Sequence, residues 1–204
     1  MADSVREREY TYTTYTPRDL KWTENFGDDV PYEVIGNVIY LMSASPRHEV
    51  MVMEIGRQLG NFLHGKPCRV FGSNLGYDWT ARLIEAGFIG PEDKKQKILP
   101  DISVVCEERN FGEGDYTGIP SLIIEVLSPS TANRDFDIKK KIYEAVGVKE
   151  YWVIFDARTV HTYILENGLF THRLHEAENG ILRVPVVIFP PLEIEFDRSE
   201  LDIT

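Results

Sequence analysis

The sequence has little cysteine, no long apolar run and no excess of basic residues. Two cysteines in 204 residues, Cys68 and Cys106, are too few for a disulfide framework or a zinc site. Each sits in a strand-like apolar context and is expected to be a small core residue. The longest apolar run lies around Leu122 to Leu127, far short of the roughly 20 residues needed to cross a bilayer. The N-terminal "MADSVREREYTYTTY" lacks the apolar centre of a signal peptide. A soluble, cytoplasmic protein with no membrane partner is expected. Repeats, low-complexity tracts and composition breaks are also missing. With 204 residues, the span 1–204 is expected to form a single domain. A net charge of −11 excludes general electrostatic steering toward nucleic acid. Two local basic runs remain, KKQK at 94–97 and KKK at 139–141. Solvated surface lysines are their ordinary explanation.

The pattern that is present alternates strands with helices. "PYEVIGNVIYLM" holds two apolar runs joined by Gly36-Asn37, which reads as a β-hairpin. "SASPRHEVMVMEIGRQLGNFL" predicts a helix with Ser45 as N-cap and Pro46 at its first position. At 100° per residue, His48, Val52, Ile55, Leu59 and Leu63 share one face. "CRVFGSNLGYDW" predicts one strand or two short ones, and residues 81–97 an irregular polar loop. "PDISVVC" and "SLIIEVLS" predict strands, separated by the breaker-rich loop "FGEGDYTGIP". "SPSTANRD" predicts a loop. "FDIKKKIYEAVG" predicts a helix stopped by Gly147. "YWVIFD" is a further strand, "VHTYILENGLFTHRLH" a hairpin turned at Asn167-Gly168, and "LEIEFD" a last strand. The order implies an α/β sheet with helices packed on it. The passage 121–156 implies a right-handed crossover between parallel strands.

One residue breaks the apolar pattern. Glu125 sits between Ile124 and Val126 in a run that reads as buried. A carboxylate there costs several kcal/mol unless it is paired or binds a metal. A salt bridge or an edge position is the simplest alternative. Asp101 opens the preceding strand, so neighbouring strands would bring Asp101 and Glu125 to one end of the sheet. Two carboxylates that close repel unless a cation lies between them. Oxygen donors without thiolates or paired histidines favour Mg²⁺ or Mn²⁺.

The following helix carries the candidate cation. With Ile138, Ile142, Ala145 and Val146 as its core face, Lys140 points to solvent and Lys139 and Lys141 flank the core stripe. Asp135, Lys139 and Tyr143 follow one another at i, i+4 and i+8. A flanking lysine could orient or help deprotonate a water, or neutralise developing phosphate charge. Periodicity leaves Lys139 and Lys141 both open. His48 faces inward near the start of the first helix, as a satisfied core histidine or as a polar wall of the same cleft. Glu49 or Glu54 could add an outer acidic ligand, with periodicity favouring Glu49.

The blocks "VPYEVIGNVIYLMSASPRHEV", "LPDISVV" and "PSLIIEVLSPSTANRDFDIKKKIYEAVGVKEYWVIFD" together resemble the Uma-two family. This is a bacterial domain-of-unknown-function family with the PD-(D/E)XK restriction-endonuclease-like fold. The resemblance runs to about Asp156. It implies a central mixed β-sheet flanked by helices, with extra N- and C-terminal β-hairpins, and a carboxylate metal site. The matching positions are Asp101 and Glu125 as metal ligands, with His48 near the start of the first helix. The wider superfamily places a lysine two residues after the second acid, where this chain has Leu127. The spacing Asp135, Lys139, Tyr143 resembles the Uma-two pattern and selects Lys139 over Lys141.

These residues imply a Mg²⁺- or Mn²⁺-dependent endonuclease acting on DNA. Asp101, Glu125, Lys139 and His48 are the expected catalytic set, with Glu49, Tyr143 and Asp135 beside them. The runs 94–97 and 139–141 are candidate phosphate contacts. The alternatives are a non-catalytic nucleic-acid or protein interaction module that keeps the fold, motivated by the acidic charge and Leu127, and hydrolysis of a smaller phosphate ester. A homodimer is what the fold often uses to cut both strands. The "VIYLM" hairpin and the C-terminal strands are its candidate interfaces.

Overall fold

The computed structural model describes residues 31–42, 44–106, 114–127, 134–177 and 180–201. The first two strands, β1 (Tyr32–Ile35) and β2 (Val38–Leu41), form the expected antiparallel hairpin. Gly36 takes φ +61° at its turn, which an L side chain adopts only with strain. Helix α1 (Pro46–Leu63) starts where predicted, and Ser45 Oγ accepts the His48 N–H at 3.3 Å. Its buried stripe is Met51, Ile55, Leu59 and Leu63. Met51 therefore replaces Val52, which is half-buried, at the centre of the face.

Strand β3 (Arg69–Gly72) follows, then a short helix α2 (Thr80–Glu85) inside the segment read as an irregular loop. Six residues are too few to display a helical period, yet burial of Leu83 against the core holds this turn in place. Strands β4 (Ile102–Val105) and β5 (Leu122–Val126) are buried throughout. A π-helical turn (Arg134–Lys139) then runs into α3 (Lys140–Val146), which ends at Gly147 with φ +91°. Arg134 and Asp135 thus begin the helical segment, two residues earlier than expected. Strands β6 (Glu150–Asp156), β7 (Thr159–Glu166) and β8 (Leu169–Glu176) complete the sheet. The β7–β8 turn is Asn167-Gly168, both at positive φ. A hairpin of β9 (Ile181–Pro185) and β10 (Glu193–Asp197) and a short α4 (Arg198–Leu201) end the described chain. The β9 partner of the predicted last strand had no reading in the residue pattern itself.

The central sheet has six strands in the order β3-β4-β5-β6-β7-β8. All its pairings are antiparallel except β5–β6, which is the parallel pair expected of the crossover. One face packs Leu122, Ile124, Trp152 and Ile154 against α1 and the β9–β10 hairpin. The other packs Ile123, Tyr151 and Val153 against α3, α2 and aromatic residues Tyr77, Trp79 and Tyr116. The alternation of β5 therefore sends Glu125 to the α3 face. Among the described residues, no helix is long and apolar enough to cross a membrane.

Cys68 and Cys106 are joined in a disulfide, contrary to the expectation of separate core thiols. The register pairs Arg69 with Val105, and one step further pairs position 68 with 106. The contact spans 38 residues of sequence and is set by strand register, which cysteine count does not reveal.

Candidate active site

Strand register brings the two predicted carboxylates together. Ile102 pairs with Ile124 in the antiparallel β4–β5 ladder. Moving one step along each antiparallel strand sets Asp101 opposite Glu125. Both are buried, Asp101 at 5 % and Glu125 at 1 % exposure. Asp101 Oδ2 accepts the Val126 N–H at 2.8 Å and lies 3.0 Å from His48 Nε2. The first turn of α1 thus carries His48 onto the sheet end. Burial pulls the His48 pKa down, but the hydrogen bond and charge of Asp101, aided by Glu49, outweigh it and leave the pKa raised. The imidazole is held as a donor to Asp101.

Lys139 is fully buried. Its Nζ lies 2.9 Å from Glu125 Oε1 and 2.8 Å from Glu33 Oε1, and donates to the Leu99 carbonyl at 3.4 Å. Glu33 Oε1 also accepts the Leu99 N–H at 2.9 Å. The Tyr143 hydroxyl donates to Glu125 Oε1 at 2.5 Å. Burial, then the charges of Glu125, Tyr151 and Glu33, push the Tyr143 pKa well above its ordinary value, so the phenol keeps its proton. A buried ammonium surrounded by carboxylates and a carbonyl has the acceptors that offset its desolvation.

The predicted helix face needs correction. Lys139, Ile142, Tyr143 and Val146 are buried, whereas Ala145 is exposed. Lys139 therefore sits within the inward stripe at i, i+3, i+4 and i+7 rather than beside it. With Tyr143 rather than Ala145 in the core stripe, 100° per residue already brings Lys139 inside it. Lys141 points outward to Asp137 at 3.0 Å, and Lys140 is half-buried with its ammonium 5.5 Å from the Tyr163 ring.

The structure thus joins Glu125, Lys139 and Tyr143 in one cluster and His48 with Asp101 in another, set side by side by the β4–β5 register. Glu49 stays largely exposed, with Oε1 3.7 Å from His48 Nδ1. Glu54 turns away to Arg57 and Gln58. The Asp135 side chain lies outside the described residues. The 94–97 run is partly occupied: Lys95 pairs with Asp115 at 3.2 Å and Asp78 at 3.5 Å, and Lys97 covers the Tyr32 ring at 4.5 Å. Glu33 was missed, although the available signal was the one that exposed Glu125. It is a lone carboxylate in the apolar run of β1.

The donor set suits a hard cation. The described contacts of Asp101 all fall on Oδ2, leaving Oδ1 to accept from a ligand. Among the described residues no group of three or more histidine, cysteine or acidic side chains could enclose a metal. Mg²⁺ usually needs only one or two carboxylates, with water and phosphate oxygens as its remaining ligands. Asp101 and Glu125 fit that requirement.

Comparisons with known proteins bear on the family and the fold. The model of the Uma2 family, described as "Putative restriction endonuclease", matches residues 17–197. Two curated Synechocystis proteins are similar, each named only as uncharacterized. The protein slr1290 is 28 % identical over 125 residues, 61 % of this chain and 58 % of that one. The protein sll1609 is 25 % identical over 123 residues, 59 % of this chain and 63 % of that one. The chain therefore matches about three fifths of the length of these relatives. A crystal structure from Anabaena variabilis, titled a putative nuclease belonging to DUF820, superimposes with a TM-score of 0.62 at 19 % identity. That match covers 83 % of this chain and 88 % of the other, and shows a shared fold.

Proposed function

Because this chain belongs to the Uma2 family, described as "Putative restriction endonuclease", we propose that it is a metal-dependent endonuclease hydrolysing phosphodiester bonds in DNA. The observation that most supports this reading is the buried Lys139 ammonium 2.9 Å from Glu125, at the sheet end where Asp101 stands opposite. Asp101 and Glu125 would hold Mg²⁺ or Mn²⁺, which when bound polarises a phosphate and lowers the pKa of its water. His48 fixes the Asp101 carboxylate, and Tyr143 fixes Glu125. Lys139 keeps a positive charge beside the place where phosphate charge would grow. A homodimer would present two such sites to the two strands of a duplex.

Incubation with supercoiled plasmid tests this reading. Nicking is expected with Mg²⁺ or Mn²⁺, should stop with EDTA, and should be lost in the Asp101→Ala/Glu125→Ala double variant. Undiminished metal-dependent cleavage by the double variant would overturn it.

A second reading, a non-catalytic interaction module, is favoured by the solvent exclusion of Lys139, Glu33 and Glu125. A closed ion cluster of this kind also serves as a purely structural fastening. Titration calorimetry separates the two: absence of Mn²⁺ binding together with absence of cleavage supports the module.

A further inference from the structure

The sheet face that carries Glu125 also carries a ladder of rings. Glu125 registers with Val153, Val153 with His161, and His161 with Leu174. Glu125 and His161 are thus two strands apart, a backbone separation of about 10 Å at ~4.8 Å per strand. In the adjacent row Tyr151 pairs with Tyr163 and Tyr163 with His172. The rings lie nearly parallel in that order, and His172 continues to His161 edge to edge, their ring nitrogens 2.8 Å apart. Tyr151 and Tyr163 centroids are 5.7 Å apart, Tyr163 and His172 4.9 Å, and His172 and His161 5.0 Å, with interplanar angles of 23°, 28° and 18°. The ladder starts at a wholly buried ring and ends in solvent, where Phe155 is 46 % exposed and 5.2 Å from His161. Phe136, from the π turn, packs edge-on against both His161 and Phe155 at 5.3 and 5.7 Å. The same turn ends in Lys139. One turn of chain therefore supplies a ring to the ladder and an ammonium to the site.

From this continuity we infer that the outer end of the ladder, Phe155, His161 and His172, is a stacking platform for unpaired bases of a single-stranded nucleic acid. The inference rests on the nuclease reading of the adjoining site and narrows its substrate class. Charge argues in the same direction. Duplex binding draws its affinity from free lysines and arginines that neutralise phosphates. This chain has a net charge of −11, and Lys95, Lys139 and Lys141 are each held by acidic partners. Single-strand binding also draws on basic groups, but stacking of unpaired bases on rings adds a contribution that a paired duplex cannot supply. Lys140, beside the Tyr163 ring, leaves one cation next to the ladder for a backbone phosphate. The ladder itself presents neutral faces. His161 Nδ1 and His172 Nε2 are 2.8 Å apart, so one of the two must be unprotonated. Burial and the neighbouring His172 hold the His161 pKa below its ordinary value.

Fluorescence anisotropy of the full chain with labelled oligothymidylate and with a duplex of equal length, both in EDTA, tests the inference. Wild type is expected to prefer the single strand. Phe155→Ala and His161→Ala should each weaken single-strand binding about tenfold, within the range known for loss of a stacked base. Phe155→Trp should retain binding, as should Met53→Ala on the far-lying exposed face of α1, where Met53 is 68 % exposed. Melting temperatures of the variants exclude misfolding, and the tryptophan variant keeps the test decisive if alanine destabilises. Unchanged affinity in both alanine variants, a preference for duplex, or binding of neither nucleic acid overturns the inference. Stacking-dependent binding without any cleavage upholds it while overturning the nuclease reading. Duplex cleavage indifferent to Phe155→Ala overturns it and leaves that reading intact.

Discussion

Glu33 Oε1 lies 2.8 Å from Lys139 Nζ, and neither side chain reaches solvent. Glu33 comes from a hairpin whose strands, among the described residues, pair only with each other, apart from a bridge between Val34 and Lys97. The ion pair therefore fastens β1 to the sheet end that bears Glu125. Removing Glu33 leaves Lys139 with Glu125 but takes the acceptor from the buried Leu99 N–H. Glu33→Ala is expected to lower the unfolding free energy by about 1–3 kcal/mol. Glu33→Ala with Lys139→Met should differ from the sum of the two single changes. A denaturant double-mutant cycle with strictly additive effects would contradict the coupling.

His48 touches Asp101 rather than the position of a reacting phosphate, so it acts through that carboxylate. Groups that orient a metal-ligating side chain typically contribute 10–100-fold to metal affinity or activity. His48→Ala is expected to weaken Mn²⁺ binding about 10-fold or more in calorimetry and to slow plasmid nicking in proportion. The fold should persist, because α1 is held by Met51, Ile55, Leu59 and Leu63. Unaltered Mn²⁺ affinity would show that the His48–Asp101 contact is not part of a metal site.

The residues that were legible in the sequence are those whose local pattern broke a rule. Glu125 was an acid in a buried run, and Asp101 opened the neighbouring strand, so antiparallel pairing brought them opposite. Lys139 was the harder case. Counting Ala145 in the core stripe puts it beside that stripe, whereas the buried Tyr143 places it inside, and only the resemblance to a family separated it from Lys141. Glu33 carried the same signal as Glu125, but its partner lies far along the chain and nothing local announces the pairing. The disulfide was hidden for the same reason, as it depends on long-range register, whereas the family resemblance already implied a C-terminal hairpin. Helix α2 was too short to display a period.

Glu150 is buried and binds a loop. Its carboxylate accepts Trp152 Nε1–H at 2.7 Å and the N–H groups of Val187 and Ile188 at 3.1 and 2.9 Å. Burial raises its pKa, although these donors oppose the shift. The native state thus holds the Glu150 proton to higher pH than the unfolded chain does. Stability contributed by that group falls as pH rises through the window between the unfolded and native values. Wild type should therefore gain stability relative to Glu150→Gln as pH is lowered from 7 toward 5, measured by urea unfolding. A difference between the two that is independent of pH would refute this assignment. Glu150→Ala, which strands three N–H groups, should cost about 2–4 kcal/mol at any pH in that range.

The Cys68–Cys106 bridge ties edge strand β3 to β4 and closes 38 residues that include α2. In the chain-entropy account, closing a loop of that size restricts the unfolded state by about 4 kcal/mol. The oxidised protein should lose stability of that order when a thiol reductant is added, read as a lower denaturant midpoint. The Cys68→Ser/Cys106→Ser double variant should match the reduced protein and ignore the reductant. The bridge lies at the end of β4 remote from Asp101, since Cys106 follows its last residue and Asp101 precedes its first. Reduction should therefore leave Mn²⁺ affinity unchanged below the new midpoint. A parallel fall in metal affinity would mean that the edge strand and the carboxylates are coupled through β4.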